Sequence, residues 1–127
     1  MQGKLRFLII DDSQPVLAVY TQLLEQAGHE VIALTSCDAA LVQIMQFQPD
    51  CVLCDLILPG IDGLELFKLL HADKSIKKPV FIMITAKQYD YDRRIALKLG
   101  VDDYLTKPIK HESFVDTIVA IIDRKRT

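Results

Sequence analysis

The sequence has few cysteines, no excess of charge of either sign and no long apolar run, and each lack excludes a class of protein. Three cysteines in 127 residues, half of which are apolar, do not make a disulfide framework. The 15 basic and 17 acidic residues leave a formal charge of -2, which is not the electrostatic pattern of a protein that binds nucleic acid or a membrane surface. No apolar run is long enough to span a bilayer.

The N-terminal segment does not look like a secretory signal either. Lys4 and Arg6 flank an apolar run that covers only residues 7–10 before two aspartates interrupt it. We therefore expect a cytoplasmic protein that binds neither nucleic acid directly nor a membrane. The length suits one domain with a single core, so residues 1–127 are expected to form one domain.

Cys51 and Cys54 form a C-x-x-C, a spacing that can hold a metal or carry redox chemistry. Here the two cysteines lie in a short apolar run. In a strand, residues three positions apart point to opposite faces of the sheet, so these two thiols could not share a zinc ion. We expect both to be small buried hydrophobic residues.

Short apolar runs rich in branched residues alternate with stretches of helical period, and the alternation repeats five times. The predicted strands are residues 5–10, 31–34, 51–54, 80–84 and 104–105. Strands one, three and four are almost entirely apolar, as expected of a parallel sheet covered by helices on both faces. With right-handed crossovers, this predicts a doubly wound (βα)5 α/β fold of the flavodoxin-like type, a three-layer sandwich with strand order 2-1-3-4-5.

Two further expectations concern burial. Apolar residues at helical spacing, among them Met45, Leu69 and Leu99, are predicted to face the core. His29 and the other two histidines follow no predicted strand end, so we expect them at the surface, without a catalytic role.

Ligands of such sheets bind beyond the carboxyl ends of the strands, where the chain changes direction between strands one and three. The polar residues that follow the predicted strands at that edge are Asp11, Asp12, Asp55, Thr85 and Lys107. Three carboxylates brought together repel one another unless a hard divalent cation such as Mg²⁺ lies among them. One carboxylate could then attack phosphorus, while the ammonium of Lys107 and the hydroxyl of Thr85 contact the oxygens of the transferring phosphoryl group.

Four segments in this order and spacing carry a resemblance to a known family. They are residues 9–13 (I-I-D-D-S), 53–63 (L-C-D-L-I-L-P-G-I-D-G), 84–86 (I-T-A) and 100–108 (G-V-D-D-Y-L-T-K-P). Together they resemble the receiver domain of two-component response regulators over essentially the whole chain. The resemblance implies a phosphorylation-driven signalling switch that catalyses only its own phosphorylation and dephosphorylation. A sensor histidine kinase or histidine phosphotransfer domain would supply the phosphate, and a downstream effector protein or domain would read it.

The resemblance also assigns roles at the acidic site. Asp55 would accept the phosphoryl group. Asp12 and Asp55 would bind Mg²⁺, or Mn²⁺ in its place, by their side chains, Ile57 would bind it by its carbonyl oxygen, and Asp11 mostly through water. Ile57 and Lys87, two positions after Asp55 and Thr85, would tune the lifetime of the phosphate.

The same resemblance implies a switch. Thr85 and Tyr104 match the family pair in which the hydroxyl moves toward the phosphate and the ring turns inward, which would change the face of helix 4, strand 5 and helix 5. The bond between Lys107 and Pro108 matches one that is cis in the family, and a cis proline would aim the lysine at the acidic cluster. Regulators that pair through this face carry arginines where this chain has Thr117 and Val119, so pairing there is not expected.

Three other functions agree less well with the sequence. A Mg²⁺-dependent phosphohydrolase with Asp55 as nucleophile would need a second aspartate two residues later, where this chain has Ile57. A degenerate receiver that acts only as a docking scaffold would not need all five of the polar residues Asp11, Asp12, Asp55, Thr85 and Lys107. A flavin-binding protein of the same fold class is disfavoured because the first strand-to-helix turn is acidic and would repel a flavin phosphate.

Overall fold

The computed structural model describes residues 3–86 and 90–126. Strands and helices alternate strictly along the chain: β1 (Arg6–Ile10), α1 (Gln14–Gln26), β2 (Glu30–Leu34), α2 (Ala40–Phe47), β3 (Cys51–Cys54), α3 (Gly63–Ala72), β4 (Val80–Thr85), α4 (Asp90–Leu99), β5 (Asp103–Thr106) and α5 (His111–Arg126). The strands form one parallel sheet in the order β2-β1-β3-β4-β5, which confirms the predicted topology. None of the helices in these two described ranges is long and apolar enough to cross a membrane.

The sheet separates two hydrophobic layers, because successive side chains of a strand point to opposite faces. Val52 and Cys54 of β3 lie in the layer that α2, α3 and α4 cover, whereas Cys51 and Leu53 lie in the layer that α1 and α5 cover. The predicted three-layer sandwich is therefore confirmed. The two cysteines of the C-x-x-C are buried on opposite faces, as their spacing predicts.

Local capping starts two helices directly after the functional edge of the sheet. The Ser13 hydroxyl accepts a hydrogen bond from the Val16 amide at 3.3 Å at the start of α1. The Asp62 carboxylate accepts one from the Glu65 amide at 2.9 Å at the start of α3. Each cap satisfies an amide that the first helical turn leaves unpaired. The chain can thus turn into a helix within a few residues of each strand end.

Three apolar side chains that were predicted to face the core are exposed instead. Met45 is 54% exposed, Leu69 45% and Leu99 44%. Adjacent residues of a helix point about 100° apart, so when one residue of a pair points directly at the sheet its neighbour points to the side. Ile44 takes the inward position in α2 and Leu70 takes it in α3, each with its neighbour turned outward.

The expected surface position of His29 is wrong. His29 lies in the turn between α1 and β2 and is only 9% exposed. Its Nδ1 accepts a hydrogen bond from the Leu5 amide at 3.0 Å, and its ring meets the edge of Phe7. Because Nδ1 accepts here, the imidazole is neutral with its proton on Nε2. Burial lowers the pKa of His29, although the Asp50 carboxylate opposes this shift.

This burial predicts a pH-dependent stability. The pKa of His29 in the folded protein lies below its unfolded value of about 6.5. The stability contributed by the buried neutral imidazole is therefore fully present above that pH, and it is lost as the pH falls toward the folded pKa. We expect His29→Asn, whose amide oxygen can still accept from Leu5, to flatten the decline of the free energy of unfolding between pH 7.5 and 5. One proton accounts for at most about 1.4 kcal/mol per pH unit.

Urea unfolding at several pH values measures this slope. The matched control is His111→Asn, because His111 is exposed at the start of α5. Equal slopes in the His29 variant and the parent protein would contradict the assignment.

Candidate functional site

The sheet itself brings two carboxylates together. Asp11 follows β1 and Asp55 follows β3, and these strands are neighbours. The Asp55 amide donates to the Ile10 carbonyl oxygen at 3.0 Å, and the Asp11 amide donates to the Leu34 carbonyl oxygen at 3.1 Å. Both backbones therefore continue the hydrogen-bond ladder of the sheet beyond the strand ends, which fixes the direction of their side chains.

Asp12 completes a cluster of three acids. One carboxylate oxygen from each of Asp11, Asp12 and Asp55 lies within 4.8 Å of the other two. Asp11 is 3% exposed and Asp55 is 8% exposed, while Asp12 is open to solvent. The cluster is thus a buried acidic floor with one accessible carboxylate at its rim.

Lys107 bridges the two buried carboxylates. Its Nζ donates to Asp11 Oδ2 at 2.6 Å and to Asp55 Oδ2 at 2.9 Å. Its backbone amide donates to the Thr85 carbonyl oxygen at 2.8 Å, so the lysine is held just beyond the end of β5. The peptide bond between Lys107 and Pro108 is cis, as expected.

The ammonium of Lys107 does not balance the formal charge of the three aspartates. Burial alone would lower the pKa of Lys107, but the hydrogen bonds from its ammonium to Asp11 and Asp55 outweigh burial and leave its pKa above the ordinary value. Lys107 therefore stays protonated at neutral pH. Three carboxylates against one ammonium leave two formal negative charges, which is the kind of oxygen-rich, electronegative site that Mg²⁺ or Mn²⁺ prefers.

Thr85 and Tyr104 are buried next to this cluster. Thr85 is the last residue of β4 and is 1% exposed. Tyr104 of β5 lies opposite Met83 of β4 and is 2% exposed, with its ring in the layer under α3 and α4. Burial raises the pKa of Tyr104, with the Asp92 and Asp55 carboxylates adding to the effect. The tyrosine ring is therefore in the inward position.

Ile57 lies at the rim of the site. Its backbone amide donates to Asp55 Oδ1 at 3.1 Å, and its side chain is 60% exposed. Asp55 Oδ1 and Oδ2 are thus held by different groups, the Ile57 amide and Lys107. Lys87, the other residue expected to tune the phosphate lifetime, lies outside the described residues.

Gly63 is a site residue that the sequence analysis did not find. A Cβ at this position would lie 2.5 Å from the Asp55 carbonyl oxygen and 3.1 Å from Cys54 Sγ. The Gly63 amide donates to the Leu56 carbonyl oxygen at 3.2 Å, which closes the loop after Asp55. The glycine is needed here because α3 begins against the backbone of Asp55.

The two acids near β5 also have partners within the chain. Asp103 Oδ2 lies 3.3 Å from an Arg124 guanidinium nitrogen on α5. The Asp102 carboxylate accepts a hydrogen bond from the Phe81 amide at 2.8 Å. The Asp103–Arg124 pair could not be predicted from the sequence, because it joins residues on different elements.

Comparison with known proteins identifies the family. The sequence matches the response regulator receiver domain over residues 7–119, and the chain therefore belongs to this family. It is 33% identical to the alkaline phosphatase synthesis transcriptional regulatory protein PhoP of Bacillus subtilis over 94% of this chain and 49% of that protein. It is 32% identical to Protein PilH of Pseudomonas aeruginosa over 92% of this chain and 97% of that protein.

The fold agrees with that membership. A putative response regulator from Chloroflexus aurantiacus superposes with a TM-score of 0.85 at 32% identity, covering 95% of this chain and 99% of that one. The chain spans about half the length of several curated relatives it matches, among them the PhoP protein. Proteins of this family are signalling switches rather than metabolic enzymes, and receiver domains bind Mg²⁺ at an acidic pocket and interact with histidine kinases and effectors.

The contact at Gly63 predicts a destabilising substitution. Gly63→Ala places a methyl group against the Asp55 carbonyl oxygen, so the loop or α3 must shift. We expect a loss of about 1–3 kcal/mol in the free energy of unfolding, the usual cost of overpacking. Guanidinium unfolding measures this loss.

Gly3→Ala is a useful surface control because nothing lies within 4 Å of a Cβ at this position and its backbone angle does not strain a side chain. If Gly63→Ala proves no more destabilising than a surface substitution, the close contact has no energetic consequence.

Proposed function

We propose that this domain accepts a phosphoryl group on Asp55 from a phosphohistidine and passes the signal on by a change of its α4-β5-α5 face. A sensor histidine kinase or histidine phosphotransfer domain is the donor, and an effector protein or domain is the receiver of the signal. The proposed location is the cytoplasm, where response regulators typically act.

The observation that carries this proposal is the contact of Lys107 with both buried carboxylates. A carboxylate oxygen of Asp55 attacks phosphorus, an O–P bond forms, the N–P bond of the donor breaks, and the imidazole keeps the electron pair and takes up a proton. Lys107 already lies 2.9 Å from Asp55, so its ammonium can follow the phosphoryl oxygens without a large movement. Charge neutralisation and positioning are the main means of catalysis in phosphoryl transfer.

The acidic cluster supports a divalent ion at the same place. Asp12 and Asp55 would hold Mg²⁺ or Mn²⁺ by their side chains and Ile57 by its carbonyl oxygen, while Asp11 would act mostly through water. A bound ion would supply positive charge to the phosphoryl oxygens. The three carboxylate oxygens within 4.8 Å of one another are hard donors suited to such an ion.

Thr85 and Tyr104 are the proposed switch. The Thr85 hydroxyl would move to hydrogen-bond the new phosphate, and the Tyr104 ring would occupy the space this movement leaves. Tyr104 is already buried, so phosphorylation would stabilise an inward ring position that the unphosphorylated domain already adopts. The surface beside this tyrosine carries the Asp103–Arg124 pair, so a change in β5 would reach the exposed face of α5.

An apolar recess of about 270 Å³ beside Lys107 is the proposed contact for the phosphodonor. Val16, Val19 and Tyr20 of α1 form one wall, and Pro108 and Ile109 form the other. A donor helix with apolar side chains could lie against this recess and direct its phosphohistidine toward Asp55. The recess lies between α1 and the loop from β5 to α5, and it includes His111 at the start of α5, so it borders the α4-β5-α5 face.

The direct test of the proposal uses acetyl phosphate and Mg²⁺ as a small-molecule phosphodonor system. We expect one added phosphoryl group by intact mass, and none in Asp55→Asn, because an amide oxygen is a poor nucleophile here. Asp116→Asn, at an exposed position of α5, is the matched control and should be phosphorylated like the parent protein.

Each other outcome has a definite meaning. No modification of the parent protein would contradict phosphoryl acceptance and favour a docking scaffold. Steady hydrolysis of an external phosphate ester that does not first phosphorylate Asp55 detectably would favour a phosphohydrolase.

The lifetime of the phosphate supplies a second test. The exposed apolar side chain of Ile57 hinders the water that would attack the phosphate, so Ile57→Asn should dephosphorylate several-fold faster. Phosphate release from purified phosphoprotein after removal of the donor gives the rate. Leu69→Asn, an exposed apolar position on α3, is the control. A rate in the Ile57 variant that is unchanged or slower would refute this role.

A further inference from the structure

The two edges of the sheet are protected to different degrees. β2 and β5 end the strand order, so each has one edge that pairs with no other strand of the described residues. At the β5 edge, Asp103 forms an ion pair with Arg124, and five of the ten residues of the flanking helix α4 are charged. β2 has neither a lysine nor a proline, and its residues 31–34 are all apolar. Charged residues and prolines usually keep an exposed edge from pairing, so β2 is the unprotected edge.

The helices beside β2 carry little charge as well. Residues 14–47 cover α1, β2 and α2, about a quarter of the chain. They contain none of the 15 basic residues and only three of the 17 acidic ones, Glu25, Glu30 and Asp38. Glu30 is compensated from outside this segment, because Lys4 Nζ lies 3.0 Å from its carboxylate. Surfaces that stay in solvent are roughly 25–35% charged, whereas the centres of interfaces are depleted of charge. This flank therefore has the composition of an interface.

The open edge of β2 presents unpaired backbone groups. The Glu30 amide donates to the Leu5 carbonyl oxygen at 2.9 Å, so the backbone groups of Glu30 point toward β1. Successive residues of a strand point these groups to opposite edges, so those of Val31 and Ala33 point away from β1. Ala33 is also exposed. The edge thus offers the amides and carbonyl oxygens of both residues to another strand.

A groove runs beside the same edge. It encloses about 780 Å³ between α1 and the end of β2. The small residues Ala18 and Ala33 belong to its wall, and Glu25 is the one charged residue among those described there. The hydroxyl of Thr21, which also lines the groove, has no hydrogen-bond partner among the described residues. Space and hydrogen-bonding groups are therefore available together at this edge.

We propose that two copies of this chain associate through antiparallel pairing of their β2 strands, which joins the two sheets into one. In this pairing Val31 of each copy lies opposite Ala33 of the other, and the two residues exchange both of their hydrogen bonds. Every outward amide of these residues thereby gains a partner. The inference does not rest on the proposed function, because it involves neither Asp55 nor its acidic cluster.

Charge and symmetry favour a second copy as the occupant of this edge. Antiparallel pairing places Glu30 opposite Leu34 of the second copy, so the acids at the two strand starts do not face each other. Pairing of β2 with β5 of another copy would instead leave a free edge at each end and continue into a filament. It would also bring the charged helix α4 toward the charge-poor flank. The pairing of β2 with β2 closes after two copies.

The groove has room for α1 of the second copy. Neighbouring strands of a sheet lie about 4.8 Å apart. Because α1 packs on side chains of β1 and β2, the two α1 helices of the pair lie about two strand spacings apart, roughly 10 Å. Helices pack against each other at about 8–10 Å when the contacting side chains are small, and Ala18 and Thr21 are small. Rotation of the Thr21 side chain into this contact could give its hydroxyl a partner.

The first experiment measures association directly. One strand and one helix from each copy make fewer contacts than the roughly 20–30 residues per partner of a standard interface, so the dissociation constant should be about 10–100 µM. Sedimentation equilibrium of the full chain under reducing conditions, from about 5 to about 500 µM, covers this range. We expect the average mass to rise from that of one chain toward that of two. A mass of one chain throughout, or growth beyond two, would overturn the proposal.

Two substitutions at Ala33 test the surface. Ala33→Glu adds an acid to a flank whose charged residues are all acids, and it should raise the dissociation constant at least about 10-fold. Ala33→Pro removes an amide that faces solvent in a single copy, so it should weaken pairing as strongly. Ala72→Glu, at the exposed alanine that ends α3, is the matched control and should associate like the parent protein. Circular dichroism checks folding, and the glutamate variant decides if the proline variant is unfolded. Unchanged association of a folded Ala33 variant overturns the pairing.

Hydrogen exchange followed by NMR locates the contact without any substitution. The Val31 and Ala33 amides face solvent in a single copy and should exchange quickly in dilute protein. At concentrations where two copies associate, their exchange should slow several-fold, whereas the amides of β5 should keep their rates. Protection that grows elsewhere but not at β2 would place the contact on another surface and refute the pairing.

Discussion

The contact between Lys107 and the carboxylates of Asp11 and Asp55 holds the functional edge of this molecule together. Two buried carboxylates at neighbouring strand ends repel each other, and the lysine ammonium offsets this repulsion by donating to both. It does not offset the third acid, Asp12. The site therefore keeps a negative excess that a divalent cation can balance, and the lysine is already beside the oxygen that would react.

This arrangement depends on the parallel sheet. Asp11 and Asp55 are held by backbone hydrogen bonds that continue the sheet ladder, and the Lys107 amide is bound to the Thr85 carbonyl oxygen. Thr85 ends the strand next to the one that precedes Asp55, so its hydroxyl lies beside the same edge. The carboxylates, the hydroxyl and the ammonium follow four different strands. Backbone hydrogen bonds of the sheet edge, rather than side-chain movements, bring them together. In such a site the Lys107 ammonium can stabilise the negative charge of a new phosphate with little reorganisation.

Much of this could be predicted from the sequence because the parallel sheet converts sequence position into spatial position. The apolar runs located β1, β3 and β4, and the residues after them had to meet at one edge. Burial of His29, exposure of Met45 and the ion pair of Arg124 could not be predicted in this way. Each depends on how one element packs against another, and helical spacing does not say which of two adjacent apolar residues faces inward. The need for Gly63 likewise arises from the approach of α3 to the Asp55 backbone, which no local pattern encodes.

The central claim is that Asp55 is the phosphoacceptor and that Lys107 exchanges its carboxylate contact for the phosphate. A crystal structure of the protein with Mg²⁺ and beryllium trifluoride, an analogue of the phosphoryl group, tests this most directly. We expect beryllium bonded to an Asp55 carboxylate oxygen, Mg²⁺ among Asp12, Asp55 and the Ile57 carbonyl oxygen, and Lys107 Nζ in contact with a fluorine. Beryllium trifluoride at another residue, or an unmodified Asp55 with Lys107 still bound to it under saturating analogue, would contradict the account.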